Sequence, residues 1–118
     1  MQLVDTNIFL EILLKQEKSE TCKNFLLENI ETIHISDFTL HSIGVILFRQ
    51  NAEKLFSKFA ADTLPHIALL ALPKAKYNDV AKAGQDYDLD FDDAYQYSIA
   101  KDYSLEIVTM DKDFKKVA

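Results

Sequence analysis

The stretch LVDTNIFL, residues 3–10, decides how the rest of the chain is read. Leu3 and Val4 are apolar, Asp5 is an acid, Thr6 and Asn7 are polar, and a dense apolar run begins at Ile8. The pattern predicts a short buried strand over 2–5, a turn, and a helix over 7–14. A carboxylate then stands at the carboxyl end of the first strand, where open α/β sheets hold their ligands. Residues 107–111, IVTMD, repeat the arrangement with an apolar strand followed by Asp111.

Helices fill the space between these two strands. Cys22, Phe25, Leu26 and Asn29 fall at i, i+3, i+4 and i+7 and predict a helix over 20–29. Thr32 to Ile35 alternate polar and apolar, a second strand. Ser36 or Asp37 can cap the helix that follows, which runs to about Arg49. A helix over 52–63 is stopped by Leu64-Pro65, and 66–72 form a third strand ended by Pro73. A helix over 74–86 carries Tyr77, Val80, Ala81 and Gly84 in register. Asp90 caps a helix over 91–102 with Ala94, Tyr95, Ser98 and Ile99 inward. Residues 106–109 are the fourth strand, and 111–116 a last helical turn or two.

Strands separated by helices imply parallel pairing and right-handed crossovers. The expected fold is therefore α/β, a three-layer α/β/α sandwich around a central parallel sheet of four strands, or five if a final edge strand forms. At 118 residues the chain is expected to be one domain over 1–118. No apolar run approaches the roughly 20 residues of a membrane helix, and no leader pattern precedes the first strand. Cys22 has no partner for an internal disulfide, which fits a reducing cytoplasm.

The chemistry lies in the acids. Asp5 and Asp111 are neighbours if the first and fourth strands pair, and Asp93 opens the 91–102 helix, with Asp113 close to Asp111. Crowded carboxylates repel unless a cation neutralises them. Hard oxygen ligands without a Cys or His cluster point to Mg²⁺ or Mn²⁺ rather than zinc, and such a site suits phosphodiester hydrolysis. The net charge of −6 disfavours a grip on nucleic acid through phosphates alone but agrees with a cation-binding acidic cluster.

With these residues in place the chain resembles the PIN domain family, the metal-dependent ribonuclease fold of VapC-like toxins in toxin–antitoxin systems. The matching segments are LVDTNIFLEIL at 3–13, ISDFTLHSIGVIL at 35–47, LDFDDAYQYSIAK at 89–101 and IVTMDKDF at 107–114. The resemblance implies that Asp5, Asp93 and Asp111 are catalytic metal-binding acids and that Asp113 is a further acid at the metal. Thr6, Asn7 and Thr109 match the polar residues beside the first and last acids. It also implies an RNA substrate, a small antitoxin protein as partner, and a homodimer, which the apolar 7–14 helix could serve. One departure stands out: Ser42, preceded by His41, occupies the place where the family carries its second acid, a glutamate. Asp37 or His41 could substitute. Ser42 and the negative charge together motivate an alternative, a degenerate PIN domain without nuclease activity that binds RNA or protein.

Simpler roles compete at each position. Asp5 and Asp90 can act as helix caps, and Asp93 is stabilising in a first turn whatever else it does. His34 and His66 fit strand positions, Tyr95 and Tyr97 fit a core or interface, Cys22 fits a buried hydrophobe, and Lys112, Lys115 and Lys116 fit a solvated end.

Overall fold

The computed structural model describes residues 1–110, so the expectations for Asp111, Asp113 and the 111–116 segment lie outside the described residues. Four strands form one parallel sheet: β1 (Gln2–Val4), β2 (Ile33–Ser36), β3 (Ala68–Leu70) and β4 (Glu106–Val108), in the order β3-β2-β1-β4. Six α-helices connect them: α1 (Thr6–Leu13), α2 (Ser19–Glu28), α3 (Asp37–Arg49), α4 (Glu53–Asp62), α5 (Tyr77–Tyr87) and α6 (Phe91–Asp102). The expected α/β fold with four strands is therefore present among the described residues.

Alternation along the strands sends side chains to opposite faces. Leu3 packs with Leu72, Val80, Ala83, Ala94, Tyr95 and Ile99, the face covered by α5 and α6. Val4, Ile33 and Ile35 pack with Ile8, Phe9, Cys22, Leu26, Ile43, Leu47 and Phe59, the face covered by α1 to α4. The crossovers thus change sides of the sheet, and β1 lies between β2 and β4 with Val4 beside Val108. This is the switch point at which the carboxyl ends of parallel strands open a crevice.

Local chemistry sets the boundaries. Asp5 is the N-cap of α1, its Oδ1 accepting from the Thr6 N–H at 2.7 Å. Of the two caps considered for α3, Ser36 serves, with Oγ accepting from the Thr39 N–H at 3.0 Å. Asp90 caps α6 through the Asp93 N–H at 2.9 Å. Replacing a capping aspartate by alanine costs roughly 0.5–2 kcal/mol, so Asp90→Ala is expected to lower stability by that amount, read as a lower urea midpoint with an unchanged m-value.

The structure corrects four sequence expectations. The third strand is three residues long, because Leu64–His66 close a 3₁₀ turn. There the His66 N–H donates to Thr63 O and the Ile67 N–H to Leu64 O, so His66 is a turn residue. Pro65, with fixed φ, is pre-set for such a turn. A second 3₁₀ turn, Lys74–Lys76, delays α5 to Tyr77. The buried side of α5 is then Val80 and Ala83, while Tyr77 and Ala81 are exposed. The last strand stops at Val108, whose carbonyl accepts from the Asp5 N–H at 2.9 Å, so Thr109 leaves the ladder.

Candidate metal centre

The crevice at the ends of β1 and β4 is built around Asp5, which is 9% exposed. Its Oδ1 accepts from the Thr6 N–H and from Gln96 Nε2 at 3.3 Å, and its Oδ2 accepts from Thr109 Oγ1 at 2.8 Å. Asn7 braces the same hydroxyl, with Nδ2 donating to Thr109 Oγ1 at 3.1 Å and Oδ1 accepting from the Met110 N–H at 3.2 Å. Residues a hundred positions apart are thereby locked together: the chain leaving β4 is tied to the first turn of α1. Of the expected site residues, Asp5, Asn7 and Thr109 meet directly.

Thr6 belongs to the same network by another route. Thr6 Oγ1 donates to Thr39 Oγ1 at 3.0 Å, and Gln96 Nε2 donates to that oxygen at 2.8 Å. Thr39 is fully buried and held at the start of α3 by the Ser36 cap. Gln96 and Thr39 thus join α6 and α3 to the Asp5 carboxylate. Gln96 is the residue that sequence reasoning missed. No local signal singles it out, because its partners, Asp5 and Thr39, lie far away along the chain.

The orientation of the Gln96 amide follows from its partners, since an oxygen in the place of Nε2 would face the carboxylate. Among the described residues the amide oxygen Oε1 then has no hydrogen-bond partner, in a side chain only 2% exposed. A buried acceptor left unmade costs about 1–3 kcal/mol.

Asp93 is half-buried in the first turn of α6. It sits three residues before Gln96, so the two side chains share a helix face, the face that reaches Asp5. Ser42, half-buried, lies one turn after Thr39 on α3. His41 and Asp37, the two substitutes weighed for the missing glutamate, point elsewhere. They line a cleft of about 390 Å³ with Phe38, Tyr77, Phe91 and Tyr95. Asp37 Oδ1 there accepts from the Phe38 N–H at 2.8 Å and from the Tyr95 hydroxyl at 2.7 Å. Burial pushes the Tyr95 hydroxyl above the usual phenol range, which keeps it a donor to Asp37 while it accepts from the Leu72 N–H at 3.1 Å. Tyr95 is accordingly a core residue, as is Cys22, while His34 is a half-buried strand residue whose Nδ1 faces the Gln2 and Thr32 carbonyls. Asp92 is exposed; its partial burial, with the Asp90 carboxylate nearby, moves its carboxyl upward.

The donor set suits a hard divalent cation. A carboxylate offers about four lone-pair positions; among the described residues three of those on Asp5 are occupied, and one on Oδ2 is left. A rigid carboxylate with an open oxygen, a second acid on the neighbouring helix face and an unsatisfied amide oxygen are oxygen ligands of the kind Mg²⁺ and Mn²⁺ take. Among the described residues no group of three His, Cys, Asp or Glu side chains is assembled, so Asp5 is the centre of the site as described.

Thr109 sets the pose of that carboxylate. Thr109→Val removes the donor to Oδ2 and the acceptor for Asn7 while keeping the shape. The expected loss is about 1–3 kcal/mol of stability, read as a lower urea midpoint, with weaker Mn²⁺ binding in calorimetry.

Comparison with known proteins places this geometry. The family model for the PIN domain matches residues 3–118. No curated protein sequence matches the chain. Among solved structures it is similar to a toxin–antitoxin complex from Klebsiella pneumoniae, at 23% identity over 97% of this chain and 90% of that one, with a TM-score of 0.78. It is also similar to FitAcB from Neisseria gonorrhoeae, at 21% identity over 98% and 92%, TM-score 0.80. VapC20 from Mycobacterium tuberculosis, described as a toxin that cleaves the sarcin–ricin loop, shares 15% identity over 100% and 95%, TM-score 0.85. The acid at the end of β1, the β3-β2-β1-β4 sheet and a match over nearly the whole length agree: the chain belongs to the PIN domain family.

Proposed function

We propose that this chain is a Mg²⁺- or Mn²⁺-dependent endoribonuclease of the VapC toxin type. Asp5, Asp93, Asp111 and the nearby Asp113 hold the cation. The observation that carries the reading is the Asp5 carboxylate, buried at the switch point and fixed by three donors, with one oxygen position left open among the described residues. A divalent cation held by these acids would supply activation of a water and neutralisation of charge on the phosphodiester.

The residues of the chain do the rest. Thr6, Gln96 and Thr109 fix the Asp5 carboxylate before substrate arrives, so no reorganisation is needed at the moment of reaction. Asn7 keeps the end of β4 against α1, which holds Thr109 in place. The neighbours described as a toxin–antitoxin complex and as a sarcin–ricin loop cleaving toxin support an RNA substrate and a small antitoxin partner. The partly buried apolar side chains of α1, Leu10, Ile12 and Leu13, support a homodimer, and the free, buried Cys22 fits a reducing cytoplasm.

The test is cleavage of labelled RNA with Mn²⁺ by the wild type and Asp5→Asn; equal rates would reject the assigned site. The second reading, a PIN domain that binds RNA or protein without cutting, is favoured by Ser42, which removes one acid from the expected set. It predicts RNA binding in a mobility-shift assay with no cleavage at any Mn²⁺ concentration.

A further inference from the structure

The interior of this protein leaves one buried side-chain acceptor unpaired among the described residues, Gln96 Oε1. Buried polar groups are almost always satisfied, and an exception asks for a cause such as an absent ion or water. This exception lies beside the Asp5 carboxylate, because the nitrogen on the same amide carbon contacts Asp5 Oδ1 at 3.3 Å and Thr39 Oγ1 at 2.8 Å.

The location bears on Ser42. Side chains on a helix lean toward its N-terminus and cover the preceding turn. A longer side chain at position 42 of α3 would therefore lie over Thr39. The Gln96 amide arrives at that threonine from α6. Position 42 of α3 brings no carboxylate to this corner of the crevice, and the facing α6 brings an amide oxygen.

We propose that Gln96 Oε1 is an oxygen ligand of the cation site, standing in for the carboxylate that position 42 lacks. The proposal rests on the cation reading of Asp5. Hard cations accept glutamine carbonyls alongside carboxylates. A neutral ligand attracts the cation less than a carboxylate does, but it adds no repulsion toward Asp5 and Asp93 when the cation is away. Its other half, Nε2, meanwhile holds Asp5 in position.

The test uses the full chain, with two readouts that do not depend on catalysis. The first is a Mg²⁺ titration followed by NMR at the Gln96 side-chain carbonyl carbon and the Asp5 carboxyl carbon. The expected result is that both resonances shift along one binding curve. The second is calorimetry with Mn²⁺ on the wild type, Gln96→Met and Gln96→Glu. Methionine fills similar space without the oxygen and is expected to weaken binding about 10-fold or more, in the range of losses seen when groups supporting a metal site are removed. Glutamate keeps an oxygen at the Oε1 position but loses the Nε2 donor to Asp5 and Thr39, so it is expected to bind Mn²⁺ more tightly than Gln96→Met, a rescue that a packing role would not produce.

If the Asp5 carbon shifts while the Gln96 carbon stays still and Gln96→Met binds as the wild type does, the cation reading stands and the Gln96 ligand is rejected. If neither carbon moves up to tens of millimolar Mg²⁺, both are rejected together. Should Gln96→Met not fold, the wild-type titration alone decides.

Discussion

Asp5→Asn is expected to lower Mn²⁺-dependent RNA cleavage by at least 100-fold while leaving the protein folded. The size follows from the role: removing a group that positions or activates a reacting water costs typically about 10²–10⁴ in rate. The fold survives because asparagine reproduces most of the local hydrogen bonds. Its Oδ1 still accepts from the Thr6 N–H and from Gln96 Nε2. Its Nδ2 replaces Oδ2 opposite Thr109, whose hydroxyl can accept as well as donate. What disappears is the negative charge and the open oxygen of Oδ2. Unfolding by urea is therefore expected within about 1 kcal/mol of wild type, and Mn²⁺ binding by calorimetry is expected to vanish. A variant that cuts RNA as fast as its parent would remove Asp5 from the site. A variant that loses activity together with its fold would show that the carboxylate serves mainly as the α1 cap.

The division between what was legible in the sequence and what was not runs along the range of the interactions. LVDTN announced its strand, cap and helix because each depends on neighbours a few residues away: Asp5 caps α1 through Thr6, and Asp90 caps α6 through Asp93. Parallel pairing followed from strands spaced by helices, and the matched strand–acid patterns implied the pairing of β1 with β4, which puts Thr109 beside Asp5. Gln96 was illegible for the opposite reason. Its partners lie 91 and 57 residues away, and nothing local separates a buried glutamine on α6 from a solvated one. Glu11 is a second case. It lies inside the apolar run of α1, yet its carboxylate is buried and accepts from the Lys18 N–H at 2.7 Å, fixing the turn into α2. The α5 face was misassigned because the Lys74–Lys76 3₁₀ turn shifts where the helical register begins.

Phe9→Ala is expected to cost about 3–5 kcal/mol, the range for truncating a buried phenylalanine. Phe9 is 1% exposed in the core between the sheet and α1 to α4, and it meets Phe59 edge to face at 5.7 Å between ring centroids. No small shift of α1 can fill the space, because Asp5, Thr6 and Asn7 pin the start of that helix to α6, α3 and the end of β4. The cavity therefore stays open and the loss falls toward the upper part of the range. Domains are stable by only about 5–15 kcal/mol, so a third or more of the total is at stake, and thermal melts should fall by roughly 10–20 °C. The contrast with Asp5→Asn is informative because the two positions are four residues apart in one helical segment. At a temperature where Phe9→Ala is still folded, it should bind Mn²⁺ with wild-type affinity; at a higher one it should lose binding in parallel with its circular dichroism. Loss of Mn²⁺ binding in fully folded Phe9→Ala would mean that the carboxylate's position depends on the packing beneath α1 and not only on the hydrogen bonds that grip it.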